Sequence, residues 1–192
     1  MSRYIIGITG ASGSIYGIRL IEELLLRNHE VYLVITENGR KVIGYETGTS
    51  VIEIIERFSN RELLHEMDVG DLFQPIASGS FRHDGMVVAP CSMSTLAEIS
   101  CGLSKNLLSR AADVTIKEGR KLILVPRETP LSPVHLRNML TLSESGVTIL
   151  PAMPAFYGHP ACISELIDQI VGRIMEQLGI ENDLYHKWGK EV

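Results

Sequence analysis

Short apolar runs recur along the chain with amphipathic stretches between them. Tyr4-Ile5-Ile6 leads to Ile8, and Val31-Tyr32-Leu33-Val34-Ile35 repeats the pattern after a helix-length gap. Continuous apolar runs of this kind fit strands covered on both faces. The pattern predicts strands over Tyr4–Ile8, Val31–Thr36, Gly85–Ala89, Leu122–Pro126 and Val147–Leu150. Helices fill the gaps. Ile18, Ile21, Leu24 and Leu25 share one face of a helix from Ser14 to Arg27. Ser92 to Cys101 and Lys105 to Glu118 read as two more, and Ser132-Pro133 is a helix start with serine as N-cap and proline in the first turn. Leu166, Ile167, Ile170 and Ile174 mark a last long helix from Ser164 to Leu178. Residues 47–80 predict one or two helices, then a loop ending in Ala77-Ser78-Gly79-Ser80. Alternation of this kind is the signature of an α/β fold with a mainly parallel sheet. With 192 residues, and no internal repeat or linker, one domain over residues 1–192 is expected.

Composition narrows the partners. The hydrophobic share of 45% supports a full core without disulfides or metals. The net charge of −5 argues against nucleic acid held by bulk positive charge. Cys91, Cys101 and Cys162 are odd in number and widely spaced, which fits a reducing compartment rather than a disulfide framework. The start of the chain has no signal-peptide pattern, and no run approaches the ~18 apolar residues of a membrane span. A cytoplasmic protein without a membrane partner is expected.

Candidate chemistry begins with the stretch GITGASGSIYG, residues 7–17, between the first strand and the first helix. Ligands in such sheets bind beyond the carboxyl ends of strands. The N–H groups that open a helix favour an anion there, and glycine lets it approach. The spacing Gly7, Gly10, Gly13, Gly17 is not the dinucleotide fingerprint, although Glu37 after the second strand could meet a ribose. Alone, the loop fits either a phosphate site or a tight turn with Ser12 as cap.

A second strand end carries Ala89-Pro90-Cys91-Ser92-Met93-Ser94-Thr95, with hydroxyls at 92, 94 and 95 where a helix begins. One serine explains an N-cap; three hydroxyls suggest the lining of a polar ligand site. Ser78-Gly79-Ser80 is another hydroxyl-rich loop. Arg110 and Lys117 are seven residues apart and share a helix face. Arg127 follows the fourth strand, and Arg173 lies on the last helix. Arginine matches phosphate oxygens in a bidentate fork, so these residues suggest a convergent basic cluster.

The TGASG loop, the APCS segment, RAADVTIKEGRKLILVPRETPLS (residues 110–132) and LPAMPAFY (residues 150–157) resemble flavin prenyltransferases of the UbiX type. The resemblance runs from Tyr4 to about Trp188. That family lies within a wider group that includes flavin-containing cysteine decarboxylases. The resemblance implies a Rossmann-like (flavodoxin-like) three-layer sandwich and a homododecamer with active sites where subunits meet. It implies a transferase that joins a dimethylallyl group from dimethylallyl phosphate to reduced FMN, at N5 and then by ring closure at C6, without a metal. The prenylated FMN would pass to a UbiD-type decarboxylase. By the same resemblance Gly10, Ala11, Ser12, Thr36, Ser92, Met93, Ser94, Thr95 and Arg127 hold FMN. Arg110, Lys117, Tyr157 and Arg173 bind the prenyl phosphate, and Glu46 is the glutamate beside the flavin. Ser12, Glu46, Lys117 and Arg127 form the catalytic set, and Trp188 is an aromatic that covers the site.

The chemistry required agrees with these roles. Breaking an allylic C–O bond puts charge on the departing phosphate, which arginine and lysine stabilise. A serine and a carboxylate near N5 can manage its proton. Family members vary at Met93 and Ser94, and the Pro90–Thr95 segment lacks the asparagine-methionine motif of the cysteine decarboxylases. His83 and His135 read as surface or capping residues. The alternatives are a flavin-dependent decarboxylase, an FMN-binding subunit or carrier of a hydroxyaryl-acid decarboxylase complex, and a nicotinamide oxidoreductase. The last has the wrong glycine spacing and no evident catalytic Tyr-x-x-x-Lys.

Overall fold

The computed structural model describes residues 1–189. Its elements in chain order are β1 (Arg3–Ile8), α1 (Ser14–Leu26), β2 (Glu30–Ile35), α2 (Glu37–Thr47), α3 (Val51–Arg57), β3 (Leu64–Met67), β4 (Gly85–Cys91), α4 (Met93–Ser100), α5 (Leu107–Lys117), β5 (Leu122–Pro126), α6 (Pro133–Glu144), β6 (Thr148–Ile149) and α7 (Ile163–Gln177). The six strands form one parallel sheet in the order β3-β2-β1-β4-β5-β6. Chain order therefore reverses between β1 and β4, and the carboxyl ends of those two strands border a crevice.

Alternation along each strand divides the core between the two faces. Ile6, Ile8, Val87, Ile123 and Val125 pack with α1 and α7 on one side. Ile5, Val34, Met86, Val88 and Leu124 pack with α4, α5 and α6 on the other. The result is a three-layer α/β sandwich, as the apolar runs require: β4 and β5 are buried along their whole length.

The expected strands and helices form with boundaries shifted by one or two residues, except that β6 contracts to Thr148–Ile149. Ser132 caps α6 through the His135 N–H, and the His135 ring returns a bond from the Ser132 N–H, so His135 is a capping residue. Residues 47–80 hold the expected helix, α3, with short 3-10 turns at Arg61–Leu63 and Pro75–Ala77, and depart from expectation in the edge strand β3. Leu64-His65-Glu66-Met67 carries no alternating pattern; it becomes a strand because β2 offers a free edge, with Val31 beside Leu64 and Val34 beside Met67.

Candidate active site

Gly10 follows β1 and Ser92 follows β4, so both lie at the reversal point of the sheet. A cavity of about 460 Å³ opens there, lined among others by Gly10, Thr36, Asn38, Ser92, Ser94 and Thr95. Two helices start at its wall. Thr36 is the N-cap of α2 and accepts the Gly39 N–H at 3.1 Å. Ser92 is the N-cap of α4; it accepts the Thr95 N–H at 3.3 Å and donates to the Thr95 hydroxyl at 3.1 Å. Helix geometry leaves the first N–H groups of α2 and α4 without intrahelical acceptors, so two positive helix ends border one cavity. Gly10 permits the close approach: a Cβ there would lie 2.7 Å from Asn38 Cβ. No lysine or arginine is in this lining, whereas Glu37 and Glu98 are. Attraction for an anion therefore comes from backbone donors and hydroxyls, a donor set that fits a phosphate monoester. Met93 is 9% exposed and points into the core, so a ligand meets only its backbone.

The start of α1 is different from the sequence expectation of unpaired N–H groups. Gly13 is the N-cap, at φ 100°, with no side-chain cap of its own. Glu46, from the last turn of α2, supplies one. Its carboxylate accepts the N–H of Gly13 at 3.0 Å, the N–H of Ser14 at 3.0 Å and the Ser14 hydroxyl at 2.7 Å. Partial desolvation pushes the Glu46 pKa up. Hydrogen bonds from the Ser12 and Ser14 hydroxyls and the two backbone N–H groups outweigh it and hold the carboxyl below its ordinary range. The α1 N-terminus is thus already neutralised by the protein's own anion, and the open helix ends are those of α2 and α4.

Arg127 ties β5 to the same loop: its Nε donates to the Ser12 carbonyl at 3.3 Å, and its N–H to the Cys91 carbonyl at 3.4 Å. Gly10, Ser12, Glu46, Ser92 and Arg127 are therefore brought together, although they come from four separate parts of the chain. Ala11 is buried behind the loop. Cys91 is buried too, and burial pushes its thiol up, away from thiolate chemistry.

The remaining basic residues do not converge within one chain. Arg110 is one turn from Asn106, which lines the cavity, but its guanidinium turns to the Ala77 carbonyl at 3.2 Å and to Asp113 at 2.9 Å. Lys117 closes α5 just before β5 begins, so it lies at the amino ends of the strands, opposite the cavity. It is exposed, paired with Glu118, and beside Gly79. The Ser78–Ser80 loop sits at this same far end. A larger hollow of about 880 Å³ opens there, and its charges offset one another, as in the Arg3–Glu30 pair at 2.6 Å. Arg173 borders a third hollow beside Thr148 and Met153, and pairs with Glu176 at 2.6 Å. Glu176 also accepts from the Tyr185 hydroxyl at 2.9 Å and pairs with Lys187 at 2.9 Å, strapping the tail over α7. In the tail, Trp188 stands edge-on to Tyr157, ring centroids 5.3 Å apart.

Sequence reasoning passed over Thr9. It is fully buried and bonds to both Pro90 and Ser92. Its neighbours in the glycine-rich loop drew attention, but no local pattern reveals a bond to residues more than eighty positions away. Among the described residues no group of three or more His, Cys, Asp or Glu side chains comes together as a metal site.

Residues 1–175 match the family described as Flavoprotein. The chain is 50% identical to the flavin prenyltransferase UbiX of Halalkalibacterium halodurans, over 98% of this chain and 94% of that protein. The crystal structure of AnUbiX in complex with FMN and dimethylallyl pyrophosphate superposes with a TM-score of 0.93 at 41% identity, covering 100% of this chain and 99% of that one. The dodecameric FMN-dependent UbiX-like decarboxylase from Escherichia coli O157:H7 gives a TM-score of 0.91 at 42% identity, over 98% and 100% of the two chains.

Proposed function

The chain belongs to the UbiX flavin prenyltransferases within the Flavoprotein family, and on that premise we propose that it transfers a dimethylallyl group from dimethylallyl phosphate to reduced FMN. The single observation that carries this reading is the cavity at the sheet reversal, walled by the α2 and α4 N-termini and flanked through one loop by Glu46 and Arg127. When bound, FMN supplies the nucleophilic N5 and the C6 position that closes the new ring.

The protein's own groups bind and orient. Thr36, Ser92, Ser94 and Thr95, with the N–H groups around Met93 and the floor at Gly10 and Ala11, hold the FMN phosphate and its chain. Glu46, kept ionised, accepts a proton at its Oε atoms and holds the Ser12 hydroxyl by a hydrogen bond. Arg127 stabilises the charge that builds on the departing prenyl phosphate. By the family likeness Tyr157 and Arg173 bind the prenyl phosphate and Trp188, edge-on to Tyr157, covers it; none of the three lines this chain's own cavity.

Arg110 and Lys117 act on a neighbouring copy. Lys117 is separated from its own chain's cavity by the length of β5, about 16 Å for five residues. A homododecamer supplies such neighbours, and exposed apolar side chains support assembly: Phe73 is 98% exposed, and Val134, Leu136 and Leu140 stand out from α6. The product passes to a UbiD-type decarboxylase. The reading places the protein in the cytoplasm as one domain over residues 1–192, in keeping with its free cysteines.

The test is anaerobic. Protein, reduced FMN and dimethylallyl monophosphate are incubated and the released flavin is weighed by mass spectrometry. A gain of one prenyl unit is expected, with the diphosphate donor run in parallel. Bound but unmodified FMN with both donors would instead favour a carrier or a flavin-dependent decarboxylase.

A further inference from the structure

We propose that Thr9 is a positioning residue that aims the α4 N-terminus at the phosphate end of the site, an inference that rests on the FMN reading above. The β1–β4 ladder ends at the Gly7–Val88 pair, and the β4–β5 register shifts between Val88 and Cys91. On the β1 side the segment that delivers Ser92 to the cavity therefore lies beyond strand pairing, while on the other side Cys91 pairs with Pro126 after the shift. Pro90 within that segment has no N–H to offer.

Thr9 takes the place of the missing ladder. Its hydroxyl donates to the Pro90 carbonyl at 2.8 Å and accepts the Ser92 N–H at 2.8 Å. Its own N–H reaches the same Pro90 carbonyl at 3.3 Å. The side chain is 0% exposed, so water cannot substitute for it. Ser92 is the residue whose hydroxyl caps α4 and meets Thr95. Thr9 thus fixes the backbone of the capping residue, and the cap fixes the donors that face the cavity. Thr9 is a neighbour of the ligand-facing Gly10 in sequence, yet it acts from beneath the site.

Valine has the shape of threonine without the hydroxyl, and serine keeps the hydroxyl. Dissociation constants for FMN and for riboflavin are measured with wild type, Thr9→Val and Thr9→Ser. Thr9→Val should weaken FMN on the order of tenfold and riboflavin much less, because an unmade buried hydrogen bond misplaces only the phosphate donors. Thr9→Ser should restore the wild-type preference for FMN. Equal weakening of both flavins in Thr9→Val would reduce Thr9 to a general structural role and overturn the proposal, as would an unchanged FMN constant. Should Thr9→Val fail to fold, Thr9→Ser decides: a folded variant that loses the FMN preference overturns it, and one that keeps the preference supports it. Wild type that binds neither flavin would remove the FMN reading itself, an outcome distinct from these.

Discussion

Glu46 closes over the first turn of α1, and its Oε2 accepts both the N–H and the hydroxyl of Ser14, at 3.0 and 2.7 Å. The two residues are 32 positions apart, on different helices. The contact answers what the glycine-serine loop holds. On its α1 side it holds the protein's own carboxylate, and on its cavity side it faces the open ends of α2 and α4.

Glu46→Gln should keep FMN yet slow prenyl transfer, since the FMN phosphate donors lie elsewhere while the proton acceptor is lost. The substitution also removes an anion from a helix N-terminus, which costs about 1 kcal/mol and so a few degrees of melting temperature. The folded-state pKa is depressed, so this stabilisation is present above the unfolded value near 4.3 and disappears as pH falls through the folded value. Thermal melts of both proteins from pH 7 to pH 3 should show the gap shrinking at the acid end. A constant gap would detach it from the ionisation of Glu46.

Arg127→Ala should reduce turnover far more than stability. Losing a charged contact to the leaving phosphate removes about 2.7–4 kcal/mol of transition-state stabilisation, or roughly 10²–10³ in kcat. Melting curves taken beside the kinetics separate the two effects. Wild-type turnover would take Arg127 out of the mechanism.

Lys117→Ala should be comparably slow, but for a reason that lies in another copy of the chain. Mixed oligomers of Lys117→Ala and Arg127→Ala subunits should regain activity, because some sites then pair an intact Lys117 with an intact Arg127. Co-expressed, separately tagged chains purified through both tags provide the sample. Activity no higher than that of either parent would place both residues in the same chain's site.

Gly17→Ala should destabilise strongly. A Cβ at Gly17 would fall 2.2 Å from the Ala89 carbonyl oxygen and 2.9 Å from Ile8 Cγ1, so α1 must move off the sheet. A backbone clash of this kind costs about 1–3 kcal/mol or more, read as a fall in melting temperature. Gly44→Ala, where a Cβ meets nothing within 4 Å, is the matched control and should be neutral or stabilising.

The sequence by itself determined what short-range physics can encode. Unbroken apolar runs made β1, β2, β4 and β5 buried strands, helical periodicity made α1 and α7, and Ser132-Pro133 opened α6. The Gly10 loop and the Ser92 hydroxyls were legible for the same reason: each is a local signal at a strand end. Tertiary structure decided the rest, because strand order brings together residues whose patterns carry no mutual information. Only that order seats Thr9 beneath Ser92, Arg127 against the Ser12 carbonyl and Glu46 on α1. The same order carries Lys117 to the opposite end of the sheet. A helix that follows one parallel strand must run back to the amino end before the next strand can begin.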